Sequence, residues 1–246
     1  MRRQGCPSRA DYDGDGKTDV AVWRSGAPTV AGFYILQSLA NTVRFEQFGQ
    51  TDDLPLAVGD WDGDGKADPA VYRDSAFGSQ SYFFYRGSLN NPNRIVTYLP
   101  WGTTGDKPMR GDFDGDGKID AAVFRPSNNV WYIYQSSNAQ IRYDNWGLAT
   151  DKVVSADYDG DAKTDLAVFR DGIWYIKQSS NNQPQYVSWG LSTDTPVPAD
   201  YDGDGKADTA VFRNGVWYLN QSTNGIAFAN FGLGSDTPVP SAYSTP

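Results

Sequence analysis

"DYDGDGKTDVAVWR", residues 11–24, sets four aspartates within nine positions and follows them with an alternating apolar run. The chain writes nearly the same phrase four more times: "DWDGDGKADPAVYR" from Asp60, "DFDGDGKIDAAVFR" from Asp112, "DYDGDAKTDLAVFR" from Asp157 and "DYDGDGKADTAVFR" from Asp200. The starts lie 49, 52, 45 and 43 residues apart. Periods of this size mark propellers and solenoids, in which each repeat is one supersecondary unit. Each unit continues through an aromatic run such as "WYIYQSS" (131–137), "WYIKQSS" (174–180) or "WYLNQST" (217–223). An aromatic-glycine pair follows at Phe48-Gly49, Trp101-Gly102, Trp146-Gly147, Trp189-Gly190 and Phe231-Gly232, and a short turn and apolar stretch lead into the next acidic loop.

Counted from its first aspartate, each loop carries carboxylates at positions 1, 3, 5 and 9. These are Asp11, Asp13, Asp15 and Asp19; Asp60, Asp62, Asp64 and Asp68; Asp112, Asp114, Asp116 and Asp120; Asp157, Asp159, Asp161 and Asp165; and Asp200, Asp202, Asp204 and Asp208. Four carboxylates this close repel one another unless a counter-charge sits among them. Calcium is the cation such a loop suits, because it accepts about 6–8 oxygen ligands in flexible geometry, whereas magnesium demands a tighter octahedron and keeps more water. Positions 1, 3 and 5 can wrap one side of the ion, and position 9 can close the shell. Position 7, occupied by Lys17, Lys66, Lys118, Lys163 and Lys206, adds its main-chain carbonyl. About five calcium ions are therefore expected.

The loop is not an EF-hand. Position 12, where that motif needs a bidentate glutamate, is Val22, Val71, Val123, Val168 and Val211, all within strand-like alternation. Glycine at position 6 allows a sharp turn, and the fourth copy departs from it with Ala162. A left-handed backbone is unfavourable for any residue with a Cβ, so the fourth site is expected to bind metal most weakly.

Composition narrows the function. The 246 residues include 26 Gly and 14 Pro, a loop-rich count that suits many short strands, and 14% aromatics, enough to fill a core. There is no histidine, which removes histidine-based triads, general bases and zinc ligands. Cys6 is the only cysteine, so no intrachain disulfide forms. Of 30 acids only Glu46 is glutamate, and the aspartates crowd into the five loops. A net charge of −9 without a basic run gives a nucleic-acid partner no support. No apolar run reaches the length of a membrane span, so no membrane insertion is expected. The start "MRRQGCPSR" lacks an apolar h-region, so no signal peptide is expected in this chain, a leader or upstream sequence having been removed.

Each unit reads as four short antiparallel strands, at about 196–201, 207–213, 216–222 and 226–231 in the fifth copy, with the acidic loop joining the first two. Repeated radially, such units make an all-β propeller with short, protected edges. The expected domain is a single propeller spanning 1–246, with units at about 7–50, 55–102, 107–147, 152–190 and 195–233 and an extra strand at 238–243. Five blades are expected. The fragments "CPSRADY" (6–12) and "PVPSAY" (238–243) compete for the same place in the repeat. Either one terminus lies outside the ring, or upstream sequence or another chain completes it.

The phrase D-x-D-G-D-G-x-x-D-x-A-V, with Phe-Gly or Trp-Gly pairs before it, resembles the FG-GAP or VCBS repeat of integrin-type β-propellers over about 7–243. The resemblance implies a calcium hairpin between the first and second strands of each blade, with ligands at positions 1, 3, 5 and 9 and the position 7 carbonyl. It also implies an extracellular or cell-surface setting and a role in adhesion or ligand recognition, and it brings no catalytic residues. The expected function is a calcium-stabilised, non-enzymatic module that recognises a glycan or an extracellular protein. Lectin-like stacking on Trp101, Trp146 or Trp189 competes with plain blade packing. One alternative is a structural or self-assembling surface component that associates through its terminal strands. The other is a propeller glycoside hydrolase, which needs a pair of carboxylates. Outside the loops, Asp52, Asp106, Asp151, Asp194 and Asp236 are read as turn caps, and only Glu46, Asp53, Asp74, Asp144 and Asp171 lack a place in the repeat.

Overall fold

The computed structural model describes residues 10–17, 19–75 and 78–234. It divides into two compact units, one of Met1–Pro126 with Val130–Asp144 and the other of Ser127–Asn129 with Asn145–Pro246. The first carries three antiparallel sheets. Its first blade orders β1 (Val20–Arg24), β2 (Gly32–Leu36) and β3 (Val43–Gln47), and its second orders β4 (Ala70–Arg73), β5 (Gln80–Tyr85) and β6 (Thr97–Thr103). The third blade has four strands, β7 (Lys107–Gly111), β8 (Asp120–Arg125), β9 (Val130–Tyr134) and β10 (Ile141–Asn145). The second unit carries β11 (Lys152–Val153), β12 (Leu166–Arg170), β13 (Ile173–Lys177) and β14 (Pro184–Ser188), then β15 (Thr195–Pro196), β16 (Thr209–Arg213), β17 (Val216–Gln221) and β18 (Gly225–Asn230). Five blades of three or four antiparallel strands, with one 3-10 turn at Pro55–Ala57 as the helical content among the described residues, make the chain an all-β propeller.

The expected four strands per unit hold in full for the third blade. In the second, fourth and fifth blades the first strand is reduced. It is two residues long in β11 and β15, and in the second blade it is a 3-10 turn beside an isolated Leu54–Tyr72 bridge. Proline explains part of this, since Pro55, Pro196 and Pro198 have no N–H to give to a ladder. The pairing nevertheless continues past the regular strand: the Val154 and Val197 amides donate to the Ala167 and Ala210 carbonyls at 2.9 and 2.8 Å. The extra strand expected at 238–243 lies outside the described residues, as do Cys6 and Asp236.

Packing follows the period-2 alternation of the strands. Within the first unit, Phe33, Ile35 and Phe48 of the first blade pack with Val58, Ala67 and Val71 of the second, and Trp61, Tyr72 and Phe83 pack with Ile119, Ala121 and Val123 of the third. In the second unit Phe169, Trp174 and Ile176 pack with Ala207 and Val211. The aromatic-glycine pairs sit at these seams. A Cβ on Gly147 or Gly190 would stand 2.9 Å from a methyl of Val168 or Val211, and both glycines have φ near +90° to +110° (88° and 107°), so glycine is required there twice over. The valine of the Ala-Val pair is fully buried at Val71, Val123, Val168 and Val211, whereas Val22 of β1 is 54% exposed.

Candidate metal centres

Each acidic loop is a hairpin closed at its base. The position 9 amide donates to the carbonyl of the residue before position 1, as Asp19 to Ala10, Asp68 to Gly59, Asp165 to Ala156 and Asp208 to Ala199, each at 2.8 Å, while Gly111 pairs with Asp120. Inside the loop the carboxylates accept main-chain N–H bonds. The two oxygens of Asp60 take the Gly63 and Gly65 amides at 2.6 and 2.8 Å, and Asp11, Asp112, Asp157 and Asp200 repeat the pattern. The position 5 carboxylates, Asp15, Asp64, Asp116, Asp161 and Asp204, accept the amides of Lys17, Lys66, Lys118, Lys163 and Lys206 at 2.8–2.9 Å. Ala162 takes φ +67°, the left-handed backbone expected of it, and donates its amide to Asp157 as the glycines do.

These bonds bring the carboxylates together. Oxygens of Asp60, Asp62 and Asp68 lie within 4.8 Å of one another, as do those of Asp112, Asp114 and Asp120, of Asp157, Asp159 and Asp165, and of Asp200, Asp202 and Asp208. In the first loop the grouped oxygens belong to Asp11, Asp13 and Asp15. The donor set is all oxygen and suits a hard cation. The electrostatics fit one too. Burial, with neighbouring carboxylates adding to it, raises Asp68 to about 8, Asp120 and Asp165 to about 7 and Asp157 to about 6, and raises Asp60, Asp112 and Asp208 as well. Without a cation these four clusters strain against holding all their charges, and a divalent ion relieves that strain. A buried oxygen of Asp62, Oδ1, has no hydrogen-bond partner at all. The five clusters could each hold a metal ion.

Against this geometry the comparisons with known proteins take their place. The FG-GAP-like repeat family profile matches residues 11–71 and 112–168, two stretches that each begin on an acidic loop. The chain carries FG-GAP-like repeats. None of the curated proteins compared matches it. Among solved structures, the crystal structure of BBS1N in complex with ARL6DN, soaked with mercury, is 14% identical with a TM-score of 0.41, covering 82% of this chain and 65% of that one. This chain thus spans somewhat less than two thirds of the length of that structure's chain.

In this FG-GAP-like propeller the position 9 aspartate has a second task that its spacing did not reveal. Its two oxygens tie the loop to the turn between the blade's third and fourth strands. Asp165 accepts the Tyr158 amide at 2.8 Å and the Ser179 amide at 2.6 Å; Asp68, Asp120 and Asp208 do the same with Ser88, Ser136 and Ser222, and Asp19 with Ser38. The following residue then meets position 3: Leu39, Leu89, Ser137, Ser180 and Thr223 donate their amides to Asp13, Asp62, Asp114, Asp159 and Asp202. Serine hydroxyls add bonds to position 5, as Ser136 to Asp116 at 2.9 Å and Ser179 to Asp161 at 2.8 Å. The signal was present in the sequence, because a serine recurs at this point in every unit. Its partner, however, lies 14 to 20 residues away and is met only through the hairpin.

Loops also join their neighbours within each unit. The Ala67, Ile119 and Ala207 amides donate to the position 1 carbonyls of Asp11, Asp60 and Asp157 at 2.6, 2.8 and 2.7 Å. The stem of Lys66 lies over Gly14, that of Lys118 over Gly63 and that of Lys206 over Gly160. These three position 7 lysines therefore cover the preceding loop with their side chains.

The turn aspartates do cap their own backbone, but one assignment changes. Asp53, not Asp52, is the member of the repeat. Asp53, Asp106, Asp151 and Asp194 accept the amides of Gln50, Thr103, Leu148 and Leu191, and each holds a two-pronged ion pair with Arg73, Arg125, Arg170 or Arg213. Counting four residues from the aromatic pair's glycine would have found Asp53. For Asp194, burial works to raise the carboxyl, and the Arg213 hydrogen bonds and charge, the Leu191 amide and the Lys152 charge together more than offset it, leaving it below the ordinary value. The indole N–H groups of Trp101, Trp146 and Trp189 donate to the Tyr132, Tyr175 and Tyr218 carbonyls of the next blade, so blade packing accounts for all three. Of the acids without a place in the repeat, Asp144 pairs with Arg142 and Glu46 with Arg44, Arg86 and Arg94. Among the described residues no helix is long and apolar enough to cross a membrane.

Proposed function

We propose that the protein is a calcium-stabilised, non-enzymatic binding module that works outside the cell and recognises a glycan or an extracellular protein. The observation that carries this reading is the fivefold clustering of buried and half-buried, mutually repelling carboxylate oxygens in the acidic loops. Calcium bound there would offset much of each cluster's charge and tie the first two strands of a blade to the turn between its last two. Five divalent ions carry ten positive charges against a net charge of −9, which accounts for the acidity of the chain. Extracellular modules of this kind bind calcium at about 10⁻⁴–10⁻³ M, so millimolar calcium outside the cell would load them and submicromolar cytosolic calcium would not.

A thermal melt across a calcium titration, with magnesium and a chelator as controls, tests the reading. A ligand that binds only the folded state adds RT ln(1 + [L]/Kd) per site, about 1–2 kcal/mol at a several-fold to twentyfold excess over Kd. Summed over the sites, calcium is expected to raise the midpoint by more than 10 °C and magnesium far less. Equal midpoints in calcium and chelator would refute calcium stabilisation.

A second reading, self-assembly, draws on the exposure of Val20 and Val22 in β1 and of Phe231, which stands 78% exposed where Phe48 is buried. Apolar strand faces of this kind favour strand-to-strand association between copies. Light scattering at increasing concentration separates the two readings: a strictly monomeric protein removes the second.

A further inference from the structure

The repeat lets each position be compared with its counterparts, and three departures from it meet at one place. Glu46 stands where the other blades have Leu99, Asp144, Val187 and Ala229. Arg86 stands where they have Leu36, Tyr134, Lys177 and Asn220. Arg94 lies in the connection between β5 and β6, which is longer than the same connection in any other blade. Glu46 is 3% exposed and binds all three of Arg44, Arg86 and Arg94, with Arg44 Nε at 2.6 Å and Arg86 at 3.3 Å. The longer connection is built, since the Asn91 amide donates to the Gly87 and Ile95 carbonyls and accepts the Ile95 amide at 2.8–2.9 Å, holding Arg94 in a left-handed backbone at φ +55°.

These residues enlarge a crevice that the next seam of the same unit has in reduced form. There a cavity of about 210 Å³ is lined by Pro100, Trp101, Val123, Arg125 and Tyr132. The counterpart between the first and second blades is about 580 Å³. Phe48 replaces the larger tryptophan, and Phe45, Arg86 and Arg94 join Arg73 and Phe84 in the lining. That volume lies in the range of small-ligand pockets, roughly 300–1,000 Å³. Arg73 is held by Asp53, and Arg44, Arg86 and Arg94 share the single charge of Glu46, so four guanidinium groups face two carboxylates. A local surplus of positive charge, in a protein of net charge −9, stands beside three phenyl rings.

We propose that this cavity is the recognition site for an acidic glycan, with a uronate carboxylate on Arg94 and Arg86 and the sugar's C–H face on the exposed ring of Phe45, since Arg86 and Arg73 lie over the Phe48 and Phe84 rings. Guanidinium groups pair with carboxylates through charge-assisted, often two-pronged bonds, and aromatic faces suit the apolar face of a pyranose. A peptide carboxylate reaches in on a short stem and leaves most of the volume unfilled, whereas a uronate brings its own ring. The inference rests on the glycan arm of the binding function proposed above.

The test is isothermal titration, in saturating calcium, of galacturonate and glucuronate di- and trisaccharides. Their methyl esters and a tetra-aspartate peptide serve as controls. Wild-type protein is compared with Arg94→Ala and with Arg86→Leu, the residue of the first blade. The acid sugars are expected to bind at least tenfold more tightly than their esters, and each variant is expected to lose tenfold or more for the acids alone. Loss of a Glu46 partner is expected to lower the melting midpoint of both variants equally with and without calcium. The rise in midpoint that calcium causes is therefore expected to match wild type, and failure here is distinct from failure of calcium stabilisation, which needs no sugar to detect. Absence of uronate binding, equal binding of acid and ester, tighter binding of the peptide, or unchanged affinity in the variants would each overturn the proposal.

Discussion

Replacing Asp165 by asparagine separates the two tasks of the position 9 carboxylate. Asp165 is fully buried, accepts one amide on each oxygen at 2.8 and 2.6 Å, and shares a cluster with Asp157 and Asp159. Asparagine keeps one acceptor and turns an NH2 toward the other amide. That leaves a buried donor unsatisfied, at a cost of about 1–3 kcal/mol. In calcium the same change also removes a ligand, and an ion present at 10–100 times its Kd contributes about 1.4–2.7 kcal/mol that would be lost. Together these come to about 2.5–5.5 kcal/mol, or roughly 5–20 °C of melting midpoint for a chain of this size. In chelator a compensation enters. Burial and the Asp159 charge push the Asp165 carboxyl up to about 7, so an uncharged side chain is what the metal-free site favours. The loss in chelator is therefore expected to be under half that in calcium, measured by differential scanning calorimetry of both proteins in both buffers. Equal losses would refute the reasoning and leave Asp165 as a backbone clasp alone.

Three further outcomes follow from the same geometry. Ala162→Gly relieves a left-handed alanine, and since a Cβ at the equivalent Gly16, Gly65 or Gly117 meets nothing within 4 Å, the strain is in the backbone alone. The change is expected to stabilise the fold by about 1 kcal/mol, read from the melting midpoint in chelator. Any part of the strain taken up only on calcium binding is expected to show as tighter binding at the fourth site, up to about fivefold, in a competitive chelator titration. In chelator, midpoints are expected to fall as pH rises from 5 to 8. Asp157, Asp165, Asp120 and Asp68 hold protons in the folded state up to about 6, 7, 7 and 8 that the unfolded chain releases near its ordinary carboxylate value, so their contribution is complete below that value and lost through the folded ones. Calcium should flatten this slope, and a midpoint that rises with pH in chelator would contradict it. Arg170→Ala leaves the fully buried Asp151 carboxylate without its two bonds of 2.6 and 2.7 Å. It is expected to cost about 3 kcal/mol, equally with and without calcium, by denaturant unfolding.

Much of this protein is written locally. The acidic loops could be read from the sequence because nine consecutive residues contain both the carboxylates and the glycines that let them converge. The blade could be read because period-2 alternation and a repeat of some 45 residues leave few architectures open. The left-handed Ala162 followed from one substitution in a repeated phrase. What only the tertiary structure decided involves residues whose partners are distant in the chain. The serine turns meet the position 3 and 9 aspartates because hairpin register lays one over the other. The first strands of the second and fifth blades shrink to a bridge or two residues where Pro55, Pro196 and Pro198 withhold donors, at positions that only the ladder defines. Glu46, Arg86 and Arg94 look like unrelated irregularities along the chain, 40 and 48 residues apart from the glutamate to each arginine. They become one charged cluster because adjacent blades pack face to face, and a repeat's departures acquire meaning only where packing brings them to the same seam.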